Sequence, residues 1–358
     1  MEIKIQKHLQ YFKVENFKGF ESLELNNIGQ INLIAGDNNI GKSSLLEALM
    51  FDESLVHLIS RLSHVFCFKS NADIKENNNF LEVFVNRKAK DNKIKFYSQQ
   101  LESKNLNEYI LDSFKLDGLS DKEKGILKEQ SIVQNRSKYV ATLKRNSDLI
   151  DIQFIDAEND ENYTPFVFYN LGYRDDLVEF YSDNIQKSKE LKDKLINNLK
   201  IFIPEIYDVE VSQSHYIDSV SISVRLNNID ELMPLAMLGD GAIKFFRILL
   251  EIVQCRGKKL MVDEIDTGIH YSRFKLFWKS IIMAAIDNDV QLFATTHNLE
   301  CLKYFKEALE EKDMIQYQKD ARHFLIEKVA NNEIKAFTYN FEQFESAIDL
   351  GNEIRGGK

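Results

Sequence analysis

The segment GDNNIGKSS, Gly36 to Ser44, sets two glycines five positions apart and follows the second with Lys42, Ser43 and Ser44. Gly36 and Gly41 permit backbone angles that turn successive N–H groups toward one point. With Asn38 and Asn39 in the loop and a helix beginning at the lysine, those amides form an anion cradle of the kind that holds nucleotide phosphates. Lys42 is expected to reach the β- and γ-phosphates, and Ser43 to offer its hydroxyl to Mg²⁺.

A second constellation lies in KKLMVDEIDTG. The apolar run Leu260 to Val262 reads as a buried strand that delivers Asp263 and Glu264 at its carboxyl end, where open α/β sheets bind ligands. Alone, such a pair often only caps the next helix. Beside a phosphate cradle, Asp263 is placed to hold Mg²⁺ and Glu264 to orient or deprotonate an attacking water. The run VQLFATTHN delivers His297 at the end of another apolar strand, 34 residues after Asp263, where it is expected to meet the γ-phosphate. In MLGDGAIKFF, Gly239, Asp240 and Gly241 precede a helix and again aim amides at an anion.

The elements that must position these residues are legible as a pattern. Short strands are expected around Phe12 to Phe17, Leu23 to Leu25 and Ile31 to Ala35, with a helix from Ser43. Further strands are expected at Phe80 to Val85, Ile94 to Tyr97, Phe166 to Phe168, near Val209 and over Val220 to Leu226. Residues from about 100 to 160 read as a polar, irregular insertion or arm. A charged helix is expected from about Asp176 to Lys200. Beyond Gly241, helix and strand alternate: a helix, the Leu260 strand, a helix over Phe274 to Ile286, the strand ending at Thr296 and a helix over Leu299 to Glu310. Strands alternating with helices imply an α/β protein with a parallel sheet.

Bulk properties narrow the class. The 358 residues are 44% hydrophobic and include 25 Phe and 14 Tyr, enough for a large core, and only 3 Pro and 14 Gly, with no linker composition. No apolar run approaches the length of a membrane span, and the opening MEIKIQKHLQYF lacks a secretory signal's apolar stretch. A cytoplasmic protein without a membrane partner is expected. Cys67, Cys255 and Cys301 are scattered and odd in number, so neither a disulfide framework nor a zinc site is implied. A net charge of −10 excludes a DNA-coating protein, although Asp121 to Asn146 holds 7 basic and 3 acidic residues, a local +4. That stretch reads as a solvated face or, alternatively, as a nucleic-acid contact.

Taken in order, these motifs resemble the ABC-type ATPases of the RecF, SMC and OLD group. VENFKGFESLEL followed by INLIAGDNNIGKSSLLEAL is similar to that group's N-terminal lobe. LGDGAIKFFRILLEI resembles the signature segment, with Gly239 where the group carries a serine. DEIDTGIH resembles the Walker B and D-loop run, with Asp266 in the inter-subunit position, and TTHN the switch-histidine strand. FTYNFEQFESAIDLGNEIR resembles the tail of a compact prokaryotic subgroup of AAA-family ATP-binding proteins. The resemblance covers residues 1 to 100 and 160 to 355 and implies a P-loop NTPase fold. Such an ABC-ATPase head has a mixed N-terminal β lobe (1–100), an insertion (100–160), a helical and β lobe (160–235) and a lobe carrying signature, Walker B and switch histidine (236–358), all in one domain.

It also implies an activity. ATP with Mg²⁺ would be sandwiched between the phosphate loop of one copy and the signature of another in a C2 homodimer, and hydrolysed by Glu264. Adenine contacts are suggested at Lys13, Asn16 and Phe17. No long heptad pattern supports a tethering arm, and no acidic metal cluster follows residue 300 as a Toprim nuclease would need. The chain therefore resembles the ATPase component of PARIS-like antiphage systems, acting as sensor or scaffold for a separate, Toprim-like effector. A RecF-like repair ATPase that binds DNA directly and a non-hydrolysing, ATP-dependent interaction module are the competing readings.

Overall fold

The computed structural model describes residues 8–51, 55–70, 83–90, 93–101, 106–112, 138–145, 148–156, 164–168, 175–213 and 220–356. Its centre is a six-stranded sheet of β3 (Ile31–Gly36), β8 (Phe166–Val167), β12 (Lys259–Val262), β13 (Gln291–Thr296), β14 (Ala321–Lys328) and β15 (Ile334–Tyr339). The spatial order is β15-β14-β3-β13-β12-β8, parallel throughout except for the antiparallel edge strand β15. Strands β3, β12 and β13 are buried on both faces, which is why they read as unbroken apolar runs. The alternation of side chains is visible instead in which core they enter. Leu33, Leu260, Val262, Leu292 and Ala294 pack on one side, whereas Ile34, Met261 and Phe293 pack on the other.

The first side is covered by helices α3 (Asp175–Tyr181), α4 (Lys189–Phe202), α5 (Asp240–Gln254), α6 (Phe274–Asp287), α7 (Leu299–Leu309) and α8 (Phe341–Asp349). A small antiparallel sheet of β9 (Ile206–Gln213), β10 (Val220–Leu226) and β11 (Ile229–Pro234) joins them, its central strand sending Ile222 and Val224 into the same core. The second side is covered by α1 (Lys42–Leu49), α2 (Leu55–Ser70) and an antiparallel sheet that begins with β1 (Leu9–Phe17) and β2 (Phe20–Leu25). Buried Gln291 ties the two sheets together. Its Oε1 accepts from the Leu9 N–H at 2.9 Å, and its Nε2 donates to the carbonyls of Leu9 and Gly29, each at 2.8 Å.

Several expectations need correction. The 100–160 region is not irregular where it is described. Strands β4 (Lys93–Gln100), β5 (Asn107–Asp112), β6 (Lys138–Arg145) and β7 (Asp148–Asp156) extend the N-terminal sheet by successive antiparallel pairing, in the order β2-β1-β4-β5-β6-β7. Residues 121–137 of the basic stretch lie outside the described residues. The strand expected over Phe80 to Val85 lies partly outside them, and its described end makes only one bridge, Val85 to Phe17. The charged helix is two helices: α3 runs into a π-turn over Ser182–Gln186, and Ser188 then caps α4 through the Leu191 N–H. Strands β11, β14 and β15 and helix α2 were not anticipated. Phe17 is fully buried against Phe84 and Phe96, so it is a core residue and not an adenine platform. Asn16 is committed to the backbone, its Nδ2 donating to the Lys93 carbonyl at 3.1 Å. Lys13 pairs with Glu15 at 2.5 Å on the outer face of β1. No described helix is long and apolar enough to cross a membrane. Cys255 and Cys301 are buried and stand outside any disulfide.

One buried carboxyl makes the fold pH-sensitive. Glu251 on α5 is 4% exposed; Arg247 Nε donates to its Oε1 at 3.1 Å, and its Oε2 has no partner. Burial pushes the carboxyl up to about 8 despite the arginine. The folded chain therefore holds this proton across a window in which the unfolded chain has released it. Stability tied to Glu251 is complete below the ordinary carboxylate range and is lost as pH rises toward 8. Denaturant melts of Glu251→Gln against the native chain should favour the variant progressively from pH 5 to pH 8, by at most about 1.4 kcal/mol per pH unit. A difference that stays constant across that range would show the carboxyl to be ionised throughout.

Candidate nucleotide site

The phosphate loop joins β3 to α1, and its backbone has the curvature expected of an anion nest. Asn39 has φ of 64° and Gly41 a φ of 108°, both left-handed. A side chain at Gly41 is excluded twice over, by that φ and by the Phe20 ring, which an added Cβ would meet at 2.8 Å. Gly36 is equally confined: a Cβ there would lie 2.6 Å from the Ile326 carbonyl oxygen of β14. Asn38 and Asn39 are exposed, Ser43 and Ser44 partly buried at the helix start, and Lys42 buried. Lys42 Nζ donates to the carbonyls of Gly36 and Asp37, each at 2.8 Å, so the ammonium lies folded over the loop. Burial lowers its pKa, and the carboxylates of Asp263, Glu264, Asp37 and Asp266 oppose that shift.

The far end of α1 is held as firmly as the near end. Arg61 Nη1 donates to the Met50 carbonyl at 2.6 Å, and Lys259 Nζ donates to the Phe51 carbonyl. Two buried cations thus sit where the helix dipole is negative. Glu47, fully buried in mid-helix, accepts from Lys18 of the β1–β2 turn and from Lys69 of α2. These contacts fix the axis of the helix whose N-terminus adjoins the phosphate-loop motif.

The expected carboxylates converge on the loop. Ser43 Oγ lies 3.0 Å and 2.8 Å from the two Asp263 carboxylate oxygens. The contact follows from sheet order, since β13 alone separates β3 from β12. Strand β13 contributes more than a spacer. Thr295 Oγ1 donates to Asp263 Oδ1 at 2.7 Å and accepts from the Glu264 N–H at 2.8 Å. Thr296 Oγ1 donates to Asp266 Oδ1 at 2.7 Å. Glu264 has a φ of 45°, unusual for a non-glycine residue, and its Oε2 accepts from Thr267 Oγ1 at 3.3 Å. His297 follows directly at the end of β13 and is exposed, available to a ligand above the strand ends. Among the described residues no cluster of three or more His, Cys, Asp or Glu forms a closed metal site. A hydroxyl and a carboxylate converging in this way are the oxygen donors that suit Mg²⁺, which keeps waters and phosphate oxygens in its remaining positions.

Gly239 and Asp240 are exposed at the start of α5, and Gly239 has a φ of 91°. The segment is packed against the D-loop turn: a Cβ on Gly241 would lie 2.5 Å from the Gly268 carbonyl oxygen. Asp266 departs from expectation. It is only 8% exposed and turned inward onto Thr296, so the surface of the turn is made by Thr267 and Gly268 and not by the Asp266 carboxylate. Sequence reasoning also missed Lys244, buried on α5, whose Nζ donates to the Glu264 carbonyl. Burial lowers its pKa to about 8, with Asp266, Glu264 and Asp263 pulling it back. A lysine among the apolar residues of AIKFFRILL was the available signal. Thr295 and Thr296 were visible only as polar residues ending an apolar strand.

A strand–loop–helix cradle, joined at its first turn to a carboxylate from two strands away in a mostly parallel sheet, defines a P-loop NTPase of the SMC and ABC head type. Residues 31–302 match the family described as "AAA domain, putative AbiEii toxin, Type IV TA system", and the chain belongs to that family of AAA ATPase domains. It is 26% identical over 363 residues to a Helicobacter pylori protein named "ATP/GTP phosphatase", spanning 87% of this chain and 91% of that one. A 41-residue stretch, 12% of this chain and 19% of the other, is 54% identical to the uncharacterized Methanocaldococcus jannaschii protein MJECL10. Among solved structures, the SMC head domain of Thermotoga maritima aligns with a TM-score of 0.52 at 11% identity, covering 93% of this chain and 99% of that domain. An Smc head bound to the C-winged helix domain of ScpA aligns with a TM-score of 0.55 at 10% identity, covering 95% and 99%. At such identities the likeness is one of fold.

The packing at Gly41 gives a direct test of the cradle. Gly41→Ala should lower ATP affinity by at least about tenfold in titration calorimetry, because the Cβ must displace either the Phe20 ring or the loop. The melting temperature should fall by only a few degrees. Unchanged affinity would mean that the loop's curvature does not set nucleotide binding.

Proposed function

We propose that this ATPase binds ATP with Mg²⁺, hydrolyses it between two copies of itself, and uses the cycle to control a separate effector, a nuclease, in antiphage defence. The observation that carries the ATPase reading is the contact of Ser43 with Asp263, which brings the phosphate loop and the acidic strand end to one point. Backbone amides from the loop and the first turn of α1 bind the phosphates, with Lys42 neutralising the terminal ones. Ser43 and Asp263 would hold Mg²⁺, which supplies charge neutralisation on the β- and γ-phosphates when bound. Glu264 orients the attacking water and takes its proton; His297 donates to the γ-phosphate. The name of the Helicobacter pylori relative, an ATP/GTP phosphatase, supports triphosphate hydrolysis.

The dimer reading rests on the signature segment and D-loop turn, which lie together on one chain and would cover the nucleotide of the other. Exposed Met237, 75% accessible, and Tyr271, 49% accessible, flank these two segments and supply apolar surface for a partner copy. Gly239 replaces the serine found in the resembled group, leaving backbone amides to contact the phosphate. The defence reading draws on the family description, which names a putative toxin of a Type IV toxin–antitoxin system, and the effector reading on an SMC head solved with a ScpA domain bound. No observation among the described residues favours direct DNA binding over this reading.

Glu264→Gln should reduce ATP turnover by about 100-fold or more while leaving ATP binding intact. Light scattering of that variant with ATP and Mg²⁺ should report twice the monomer mass. Native turnover would remove Glu264 from the chemistry, and a monomer in every nucleotide state would remove the dimer. Copurification with the product of the adjacent gene tests the effector: a neighbour that binds in no nucleotide state would count against it.

A further inference from the structure

Lys244 is a buried ammonium in an otherwise apolar stretch of α5, 5% exposed, and burying such a group is costly unless it is paired. Packing alone would be served by methionine or leucine. Its Nζ donates to the main-chain carbonyl of Glu264, the residue held in the left-handed region. A non-glycine residue in that region is strained, so its conformation persists only while its surroundings fix it. Three other contacts fix it. The Glu264 N–H donates to Thr295 at 2.8 Å, its carbonyl accepts from the Thr267 N–H at 3.0 Å, and its Oε2 accepts from Thr267 Oγ1 at 3.3 Å. All three come from the same turn or from the adjoining strand β13. Among the described residues the lysine is the contact that reaches in from outside the turn and β13, and it does so from the helix whose first residues are the signature segment.

The connection has a second, steric strand. Lys244 stands three residues after Gly241, and the Gly241 backbone rests on the Gly268 carbonyl so closely that a Cβ would lie 2.5 Å away. The start of α5 and the turn from Glu264 to Gly268 are therefore joined at both ends, by an ion–dipole contact at one and backbone contact at the other. A shift of the signature segment has to be passed to the Glu264 main chain or break these contacts.

We infer that Lys244 is a positioning residue for hydrolysis, which sets the Glu264 main chain and couples the signature segment of a subunit to that subunit's own hydrolytic carboxylate. The inference rests on the reading of Glu264 given above. In a head-to-tail dimer the signature touches the nucleotide of the partner while Glu264 serves the chain's own, so this lysine links the two ATP sites through one helix turn.

Steady-state hydrolysis and ATP binding by the full chain decide the matter. Lys244→Met, which keeps the length of the side chain, should lower kcat by about 30-fold or more while the Kd for ATP changes by less than about threefold. Lys244→Arg, which keeps the cation, should recover at least about a third of the native kcat. In the double variant with Glu264→Gln, loss of the lysine should lower the rate no further than Glu264→Gln alone, as expected of two groups acting through one step. A native kcat in Lys244→Met, failure of arginine to rescue, or fully additive losses would overturn the inference. If Lys244→Met does not fold, Lys244→Leu, which likewise removes the donor, is measured by the same criteria. A native rate in Glu264→Gln by itself would instead overturn the reading of the carboxylate, which separates the two failures.

Discussion

The hydrogen-bonded chain from Ser43 through Asp263 to Thr295 and Glu264 is the interaction on which the rest of this structure depends. It joins the first turn of a helix to the ends of two parallel strands, and it can exist only if those strands are held in one register. The register provides this: Leu33 and Val262 both pair with Ala294, so Asp263, the residue that follows β12, comes level with Thr295 of β13 and Ile34 of β3. Parallel pairing needs long crossovers, and the covering helices are what make those crossovers. The two buried faces, and the large apolar core on each, follow from that requirement.

Charge inside the protein is arranged along the same line. The N-terminus of α1 meets the glycine-rich loop, and its C-terminus is met by Arg61 and Lys259. Glu47 in between is neutralised by Lys18 and Lys69. The four partners come from three elements, so the position of α1 is set from the β1–β2 turn, α2 and the acidic strand together. A buried charge left without its partner is costly, which makes these contacts a means of holding geometry and not merely of adding stability.

How much of this was readable beforehand depended on whether a property was local. The phosphate loop, the acidic pair and the histidine each occupy one short segment with its own strand, and the structure brings all three strand ends together. The alternating tail was legible because buried parallel strands and amphipathic helices differ in length and pattern. What stayed hidden was pairing between distant segments. Residues 107–112 and 138–156 mix polar and apolar residues, and nothing in their own sequence marked them as additions to a sheet begun at Leu9. Strand β14 reads HFLIEK, mixed enough to pass for loop, yet it pairs with β3 directly beneath the phosphate loop. Phe17 stood in a segment expected to touch the base and proved to be core, because aromatic residues serve both purposes equally well in sequence.

The inward turn of Asp266 shows why residue type and position together do not fix a role. Its carboxylate and that of Asp263 are held by consecutive threonines of one strand, Thr296 and Thr295. Successive residues of a strand point to opposite faces, so two adjacent hydroxyls can serve two carboxylates on either side of β13. One of those carboxylates faces the phosphate loop; the other anchors the turn that carries Thr267 and Gly268. The pairing of two threonines with two aspartates therefore divides the site into a half that meets the loop after β3 and a half that meets surface. Lys244 spans the division from below, and Glu264 sits at the boundary between them with its backbone held from both sides.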